Sequence, residues 1–380
     1  MRAWRTALHQ EPELSFHERR TQEMIVAALG ELGISHRTFD GSTAVLGTFA
    51  EDSNGPVVAL RADMDGLPVT EATGLPFASR HPGRMHACGH DVHMACVLGA
   101  AALLARRDRT PTGPVRLLFQ PAEEDGEEGG AAPLIRLGGL ETPHVDYVIG
   151  QHVQPELPLG TVGWRVGPSM AAADYFRITV QGHGGHAALP HLGPDAIVAA
   201  SEIVTGLQTL VSRVRNPVDP VVVSVGSIHG GTRHNILPRE VVLEGTVRTF
   251  RPATRDLMES ALKRRARAIA SGLGARVRIE YRRGYPALVN PTEPTRTIAR
   301  ALEIEHGRDR VLELADPIMG AEDFARYLEV RPGTFLNLGV GIRGEPASLH
   351  SPTFAPDERA LVIGAATLAA AADAVQRERP

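Results

Sequence analysis

The sequence predicts an α/β fold in which helices cover a mostly parallel sheet and a second, ferredoxin-like domain is inserted into the first. Two observations lead to this prediction. Towards both ends of the chain, strand patterns alternate with helical runs, whereas the middle reads as one β-α-β-β-α-β series. The 380 residues suffice for two to three units of about 150 residues each. We therefore expect a discontinuous first domain at 1–166 and 283–380, and an inserted domain at 167–282.

The first domain begins with a predicted helix at 15–33, where Ser15 and Glu18 have the spacing of a capping box. The later elements follow from hydrophobic periodicity and segment length. We expect strands at 45–49, 57–62, 115–119, 147–150 and 334–339, and helices at 91–107, 133–137, 297–305, 322–330 and 357–376. This alternation is typical of a parallel sheet with helices on its faces.

The inserted domain shows a different order of elements. We expect strands at 175–181, 221–227, 240–248 and 276–281, and helices at 195–213 and 254–271. This order is that of the split βαβ unit. The chain shows neither an internal repeat nor a low-complexity linker, so we expect short hinges near Gly167 and Gly284.

The composition argues against several classes of protein. Forty basic and 44 acidic residues give a formal net charge of −4, and the arginines are scattered among acids, which does not favour nucleic-acid binding. The apolar stretches at 94–105 and 360–375 are too short to span a membrane or contain Asp373, and the first residues lack an apolar signal core. We therefore expect a cytoplasmic protein with neither nucleic acid nor membrane among its partners.

The two cysteines, Cys88 and Cys96, are not expected to form a disulfide. If the segment between them is helical, their Cα atoms lie roughly 12 Å apart, which is beyond disulfide reach. Cys88 is then available as a thiolate ligand, and Cys96 is expected to be a buried helix residue. Sixteen histidines is an unusual number, and several stand beside Cys, Asp or Glu. This pattern indicates metal chemistry.

Acidic and histidine side chains follow four of the predicted strands. In open α/β sheets the ligand site lies outside the carboxyl ends of the strands, so these side chains should meet at one rim. They are Asp63 and Asp65 after the second strand, Glu123 and Glu124 after the third, His152 after the fourth, and His350 in the loop after the last.

The segment MHACGHDVH, residues 85–93, places a thiol, three imidazoles and a carboxylate just before a predicted helix. A thiolate and an imidazole two residues apart, Cys88 and His90, can chelate one ion, and Gly89 between them allows a tight turn. We expect His86, like His81, to lie at the surface, and His93 only to cover the first helical turn.

The pair Glu123 and Glu124 begins an acidic run, which is often no more than a solvated face. Consecutive residues leaving a strand point in opposite directions, so one carboxylate can bind metal while its neighbour faces a substrate as a base. Glu127 and Glu128 lie farther out and are expected to be solvated.

Together these residues form a mixed sulfur, nitrogen and oxygen set that is large enough for two divalent ions sharing a water. The set comprises Cys88, His90, Glu124, His152 and His350. The sequence has neither a glycine-rich phosphate loop before a helix nor a G-x-S-x-G elbow, so phosphate and serine-hydrolase chemistry lack support.

Nearly the whole chain resembles the amidohydrolase branch of the dinuclear metallopeptidase family, which includes hippurate hydrolases, N-acyl-amino-acid amidohydrolases and auxin-conjugate hydrolases. The motifs that carry the resemblance stand in the family's order. They are ALHQEPELSF (7–16), RADMDGLP (61–68), MHACGHDVHMA (85–95), FQPAEE (119–124), GHGGHAALPH (182–191), HNILP (234–238), GTVRTF (245–250), MGAEDF (319–324) and LHSPTF (349–354).

The resemblance implies roles for the residues at the rim. Glu123 would be the general base and Asp65 a carboxylate that orients a ligand. Two divalent ions, of Zn, Mn, Co or Ni, would be bound by Cys88, His90, Glu124, His152 and His350. The wider family has a histidine where Asp63 stands, and this departure is typical of the branch.

The resemblance also implies that the first domain is catalytic and that the inserted domain is a lid through which two copies form a homodimer. His186 and Asn235 match positions that bind substrate in the family. From the residues alone, His186 reads as an exposed loop histidine. Arg248 reads as a solvated strand-edge residue, with the alternative that it pairs with a substrate carboxylate.

These inferences predict a metal-dependent enzyme that hydrolyses the amide bond of an N-acyl amino acid and releases a carboxylic acid and a free amino acid. The alternative is a dipeptidase or aminopeptidase with the same metal pair. A metal-dependent binding protein without catalysis is a further alternative. It is disfavoured because every proposed ligand and the base, Glu123, are present.

Overall fold

The computed structural model describes residues 1–106, 111–341 and 347–377. These residues form two compact units, one comprising Met1–Ser169, Val289–Pro317 and Asp323–Pro380, the other Met170–Leu288 and Ile318–Glu322. The sequence instead predicts that residues 318–322 belong to the first domain. In the structure the N–H of Ala171 donates to the carbonyl oxygens of Ile318 (3.1 Å) and Gly320 (2.9 Å), and this pairing joins the segment to the second unit.

The secondary structure is numbered in chain order among the residues just given. The helices are α1 (Arg2–Gln10), α2 (Arg19–Glu31), α3 (His90–Arg106), α4 (Ala131–Arg136), α5 (Ala196–Thr209), α6 (Pro252–Gly272), α7 (Thr292–His306), α8 (Ala325–Leu328) and α9 (Ala360–Arg377). The strands are β1 (Ser35–Phe39), β2 (Ser42–Phe49), β3 (Val58–Asp63), β4 (Val115–Gln120), β5 (Tyr147–Pro158), β6 (Val162–Trp164), β7 (Gly167–Met170), β8 (Ala172–Gln181), β9 (Gly185–His186), β10 (Val221–Gly230), β11 (Ile236–Leu237), β12 (Glu240–Thr249), β13 (Arg276–Arg283), β14 (Leu288–Asn290), β15 (Val311–Glu313) and β16 (Gly333–Gly341).

The first unit is built on a mixed sheet with the strand order β1-β2-β4-β3-β5-β16-β6-β15. Its four central strands, β4, β3, β5 and β16, run parallel, which confirms the predicted mostly parallel sheet. Strands β3 and β4 are buried along their whole length, as expected for parallel strands covered on both faces. Helices α3, α7 and α9 pack together over this sheet. The carboxyl ends of the parallel strands therefore lie at one rim.

Several sequence-based boundaries in the first unit are wrong. The predicted capping box does not form, because helix α2 begins only at Arg19 and Ser15 uses its hydroxyl to donate to Asp65 (2.6 Å). The helix expected at 322–330 is limited to α8. Strand β5 continues eight residues beyond its predicted end at 150, so His152 lies within the strand, where it pairs with Asn337 of β16.

Helix α1 is absent from the sequence-based prediction, and a buried group of charges joins it to α3. Arg5 is 1% exposed, and its Nε donates to Asp91 Oδ2 at 2.8 Å. His9 Nδ1 lies 2.9 Å from the same oxygen. Burial disfavours the carboxylate, but the nearby Arg5 and His9 outweigh burial and hold the pKa of Asp91 well below its ordinary value. The interaction anchors the first turn of α3.

The second unit contains a four-stranded antiparallel sheet in the order β10-β12-β8-β13. Along the chain its elements follow as β8-α5-β10-β12-α6-β13, which is the predicted series. Helices α5 and α6 pack against each other and on this sheet. Asp195 caps α5 by accepting hydrogen bonds from the N–H groups of Ile197 and Val198. The helix then ends in a π-helical segment, Leu210–Val214.

Two helices are long and apolar enough to cross a membrane by length and composition alone, Ala196–Val214 and Ala360–Arg377. Helix α9, which is the second of these, packs against α3 and α7 and buries residues such as Leu361 and Leu368 in the core of the first unit. A core helix passes the same test. The expectations of a cytoplasmic protein without a membrane partner stay predictions.

We expect the substitution Arg5→Met to destabilise the first unit by roughly 3 kcal/mol, because it leaves the Asp91 carboxylate buried with one partner fewer. Urea denaturation followed by tryptophan fluorescence measures this unit, since Trp4 and Trp164 both lie in it. Arg2→Met is the matched control, because Arg2 lies on the same helix with its side chain 73% exposed. Equal denaturation midpoints for both variants would contradict the prediction.

Candidate active site

The five predicted metal ligands lie together at the carboxyl rim of the central sheet. Cys88 Sγ is 3.3 Å from His152 Nε2, and Glu124 Oε1 is 3.2 Å from His350 Nε2. His90 Nε2 lies 3.9 Å from the same Glu124 oxygen and connects the two pairs. Within this cluster, the ligand atoms of Cys88, His90 and His152 are all within 4.8 Å of one another, as are those of Cys88, Glu124 and His350.

The loop before α3 positions Cys88 and His90. Gly89 between them adopts φ +83°, a backbone conformation that favours glycine. A Cβ at this position would also approach Val153 Cγ2 to 2.6 Å, so the loop passes against β5 where only glycine fits. On either side of this glycine, the thiol of Cys88 is directed towards His152 and the helix begins at His90.

Backbone contacts orient the two histidines that lie farther along the chain. His152 Nδ1 donates to the carbonyl of Val153 at 2.7 Å, which leaves Nε2 directed at Cys88. His350 adopts φ +65°, and its N–H donates to the carbonyl of Ala87 at 2.9 Å. Its side chain is 54% exposed, so His350 forms the open side of the cluster.

His90 has one nitrogen facing Asp65 and another facing the cluster. Nδ1 is 3.3 Å from Asp65 Oδ1, whereas Nε2 lies 3.7 Å from Asp63 Oδ2. Like Nδ1, Nε2 is buried without a hydrogen bond to any of the residues that the structure describes. Burial opposes charge on the ring, but Asp63 and Asp65 outweigh it and raise the pKa of His90 to about 10. The surroundings therefore favour a positive charge at this nitrogen.

His93 has a structural role that the sequence analysis missed. Its Nδ1 donates to Asp63 Oδ1 at 2.7 Å, and its Nε2 accepts the N–H of Val153 at 2.9 Å. Both ring nitrogens are thus used, and burial lowers the pKa of His93 to about 4. The available signal was its position, one helical turn after His90. His93 fixes the Asp63 carboxylate instead of only covering the helix.

A buried arginine ties the ends of β3 and β4 to the loop before α8. Arg61 donates to Asp63 Oδ2 and to Asp323 Oδ1, both at 2.8 Å. Gln120 at the end of β4 donates to both oxygens of Asp323. The sequence analysis singled out neither Arg61 nor Asp323 as part of the site, although both stand in motifs of the resemblance. A buried charge network of this kind has no periodic signature.

Asp65 connects His90 to the turn that carries the two glutamates. Its Oδ1 accepts the N–H of Glu123 at 3.1 Å, and its Oδ2 accepts the N–H of Glu124 at 3.0 Å. Glu123 is only 7% exposed. A carboxylate oxygen of Glu123, a ring nitrogen of His90 and a carboxylate oxygen of Glu124 all lie within 4.8 Å of one another. The two adjacent carboxylates are thus both at the cluster.

Most of the remaining predictions for this region are confirmed, and the one for His86 is wrong. Glu127 and Glu128 are exposed and Cys96 is fully buried, as predicted. The cysteines are both free. His86, which was expected at the surface, is 1% exposed, and burial lowers its pKa to about 4.

The three residues predicted to bind substrate lie in the second unit. His186 and Asn235 are both exposed and adjacent, because β9 pairs with β11 and the N–H of Ala187 donates to the carbonyl of Asn235. The N–H of Ala188 also donates to His186 Nδ1 at 3.1 Å. Arg248 lies elsewhere, on β12, with its guanidinium 6.0 Å from the ring centre of Tyr175.

The residues of the cluster fit divalent cations. Burial, followed by the charges of Glu124 and Glu123, raises the pKa of Cys88 well above its ordinary value, so a thiolate here needs a cation beside it. The unpartnered His90 Nε2 needs the same. One thiol, three imidazoles and a carboxylate match the ligand preferences of zinc, and the carboxylates also suit manganese.

The chain matches a known protein family and curated relatives. The model of peptidase family M20/M25/M40 matches residues 59–374. N-acetyl-L-cysteine deacetylase of Bacillus subtilis is 43% identical over 358 residues, which are 94% of this chain and 84% of that protein. Thermostable carboxypeptidase 1 of Saccharolobus solfataricus is 39% identical over 367 residues, 95% of this chain and 91% of that protein.

A solved structure matches the fold over nearly the whole chain. It is the YXEP protein of Bacillus subtilis, described as a dinuclear metal binding peptidase, with a TM-score of 0.84 and 35% identity over 98% of this chain and 97% of that one. The fold and the site define a metal-dependent hydrolase of amide bonds that uses two divalent ions. The chain belongs to peptidase family M20/M25/M40, which confirms the resemblance found in the sequence.

We expect Cys88→Ser to lower the occupancy of at least one of the two metal ions, because a largely protonated hydroxyl replaces a soft thiolate. Cys96→Ser is the matched control, since its sulfur lies in the core, 3.7 Å from the carbonyl of Leu361. Metal content after dialysis against a weak chelator, measured by plasma mass spectrometry, gives the result. Equal metal loss in both variants, or in neither, would count against a ligand role for Cys88.

Proposed function

We propose that the protein hydrolyses the amide bond of N-acyl amino acids and releases a carboxylic acid and a free amino acid. The observation that carries this proposal is the pair Glu123 and Glu124, two adjacent carboxylates of which one lies beside His350 and the other is nearly buried. The deacetylase of Bacillus subtilis, whose name describes this chemistry, is 43% identical over 94% of the chain.

The proposed metal ligands are the five side chains of the cluster, Cys88, His90, Glu124, His152 and His350. Two divalent ions held there would polarise the amide carbonyl and make a water molecule more acidic. Asp65 is the proposed orienting residue, since its contact with Nδ1 of His90 turns the other ring nitrogen towards the cluster.

Glu123 is the proposed general base. Its carboxylate accepts a proton from the attacking water and returns that proton to the nitrogen of the leaving amino acid. The N–H of Glu123 is bound by Asp65, so the carboxylate stands on a fixed backbone. Such preorganisation limits the motion needed when the amide bond breaks.

His186, Asn235 and Arg248 are the proposed substrate-binding residues. Because His186 Nδ1 accepts the N–H of Ala188, its proton stands on Nε2, where it can be donated to an oxyanion. Arg248 offers a guanidinium, which suits the carboxylate of an N-acyl amino acid.

We further propose a homodimer formed through the second unit. Strand β10 lies at an edge of its sheet and presents Ile228 with 51% of its surface exposed. Val198 on α5 is equally exposed. An open strand edge beside exposed apolar side chains is suited to pairing with a second copy.

The function is tested by a hydrolysis screen with acetyl, benzoyl and indole-acetyl amino acids beside dipeptides, after Zn, Mn, Co or Ni is restored to metal-stripped protein. Release of amino acid from the N-acyl compounds supports the proposal. Cleavage of dipeptides alone would support the dipeptidase or aminopeptidase alternative. Metal binding without turnover of any compound would support a binding protein.

We expect Glu123→Gln to retain both metal ions and to lose roughly 10²- to 10⁴-fold in kcat, because a neutral amide cannot accept the proton of water. The metal content and the turnover are measured on the same sample. Turnover near that of the wild type, with full metal content, would remove Glu123 from the role of base.

We expect Ile228→Glu to convert the dimer into a monomer, because the new charge would be buried between two copies. Leu257→Glu is the matched control, since Leu257 is an exposed apolar residue, 39% exposed, on helix α6. Light scattering after gel filtration measures the mass. A wild-type mass equal to one chain, 40.7 kDa, would exclude the homodimer.

A further inference from the structure

The turn that carries Glu123 and Glu124 is held by two buried carboxylates. The N–H of Ala122 donates to Glu18 Oε1 at 2.8 Å. The next two N–H groups donate to the two oxygens of Asp65. The N–H groups of the three consecutive residues 122–124, which include the proposed base and a proposed metal ligand, therefore all donate to acidic side chains that are distant in the sequence.

Ala122 adopts a conformation that needs such support. Its φ of 57° and ψ of 41° are left-handed, which residues with a Cβ rarely adopt. Ala122 is also fully buried, directly before Glu123. A relaxation of Ala122 to an ordinary conformation would swing both following carboxylates away from their present directions. The hydrogen bond from Ala122 to Glu18 opposes this relaxation.

Glu18 is itself firmly fixed. It is fully buried, and its Oε1 also accepts the N–H of Phe16 at 3.0 Å. Its Oε2 accepts the hydroxyl of Thr43 at 2.6 Å. Burial, together with the nearby charge of Asp65, raises the pKa of Glu18 to about 7. Ala122, Phe16 and Thr43 are neutral donors and supply no charge to balance this carboxylate, which makes it costly to bury and indicates that its position matters.

The same short segment reaches the second carboxylate. Ser15, three residues before Glu18, donates its hydroxyl to Asp65 Oδ2 at 2.6 Å. Residues 15–18 thus supply one of the two carboxylates that hold the turn, Glu18, and bind the other, Asp65. The loop before α2, which the sequence analysis treated as the start of a helix, is in the structure a support for the active site.

We propose that Glu18 is a positioning residue for the reaction: by accepting the N–H of Ala122 it holds the left-handed turn that aims Glu123 and Glu124. This inference rests on the roles proposed above for the two glutamates. Glu18 acts through Ala122 and contacts neither a metal ligand nor, by this proposal, the substrate.

The test compares three variants at pH 8, where most Glu18 carboxyls are ionised. Glu18→Ala removes the acceptor, and Glu18→Gln keeps an oxygen that can accept from Ala122. Glu13→Ala is the matched control, because Glu13 accepts the N–H and hydroxyl of Thr21 and so supports the same end of α2 without contacting the turn. Measured are kcat, KM, the dissociation constant for Zn(II) and the visible absorption spectrum of the Co(II)-loaded protein.

We expect Glu18→Ala to lower kcat and to weaken the binding of at least one Zn(II), each by roughly 10- to 100-fold, with KM little changed. The Co(II) spectrum should shift, because Glu124 is displaced. Glu18→Gln should stay close to the wild type in all four measurements, and so should Glu13→Ala. A general loss of stability would affect Glu13→Ala as well and would leave the spectrum of the folded protein unchanged.

The proposal is overturned if Glu18→Ala retains kcat and zinc affinity, if Glu13→Ala loses as much as Glu18→Ala, or if Glu18→Gln is as impaired as Glu18→Ala. Should Glu18→Ala not fold, Glu18→Asp replaces it, since the shorter side chain cannot reach Ala122. Glu123→Gln is measured in parallel. An inactive Glu123→Gln beside an unimpaired Glu18→Ala removes only the role of Glu18, whereas an active Glu123→Gln removes the function proposed for the turn.

Discussion

The active site depends on one strand that places charged side chains at every second position. Arg61, Asp63 and Asp65, in and just after β3, are all buried, while Ala62 and Met64 between them face the apolar core. Each charged residue organises a different part of the rim. Arg61 binds Asp323, Asp63 binds His93, and Asp65 binds the glutamate turn. Because buried charges must be paired or hydrogen bonded, these contacts fix the rim almost completely.

This constraint explains why the cluster attracts cations. The carboxylates near His90 outnumber the buried arginine, and they favour positive charge at its free nitrogen. The thiol of Cys88 resists ionisation in the same surroundings. A divalent ion bound there would resolve both effects, since it would replace the proton on the thiol and supply the charge beside the imidazole.

The strands and helices that have clear hydrophobic patterns could be predicted from the sequence, as could the rim itself. Strand β4, with its run of apolar residues, and the cluster around Cys88 are examples. Helix α1 was missed although Met1, Trp4 and Leu8 pack against the core, because its buried face also carries Arg5 and His9, whose pairing with Asp91 has no signature in the local sequence. His86 was also misplaced: its neighbours Met85 and Ala87 are apolar and fully buried, a signal of burial that the prediction did not use.

At Ser15, a contact with a residue distant in the sequence replaces the local capping interaction that the pattern predicts. The spacing of Ser15 and Glu18 satisfies the capping-box pattern, which describes hydrogen bonds within one helix end. In the fold, Asp65 and Ala122 offer these side chains other partners. The N–H of the fully buried Ala122 would lose its acceptor without Glu18, whereas a frayed helix end can bind water. Leaving a buried N–H without an acceptor costs more free energy than leaving a helix end to water. Ser15 and Glu18, which the sequence pattern assigns to a helix start, therefore support the active site instead.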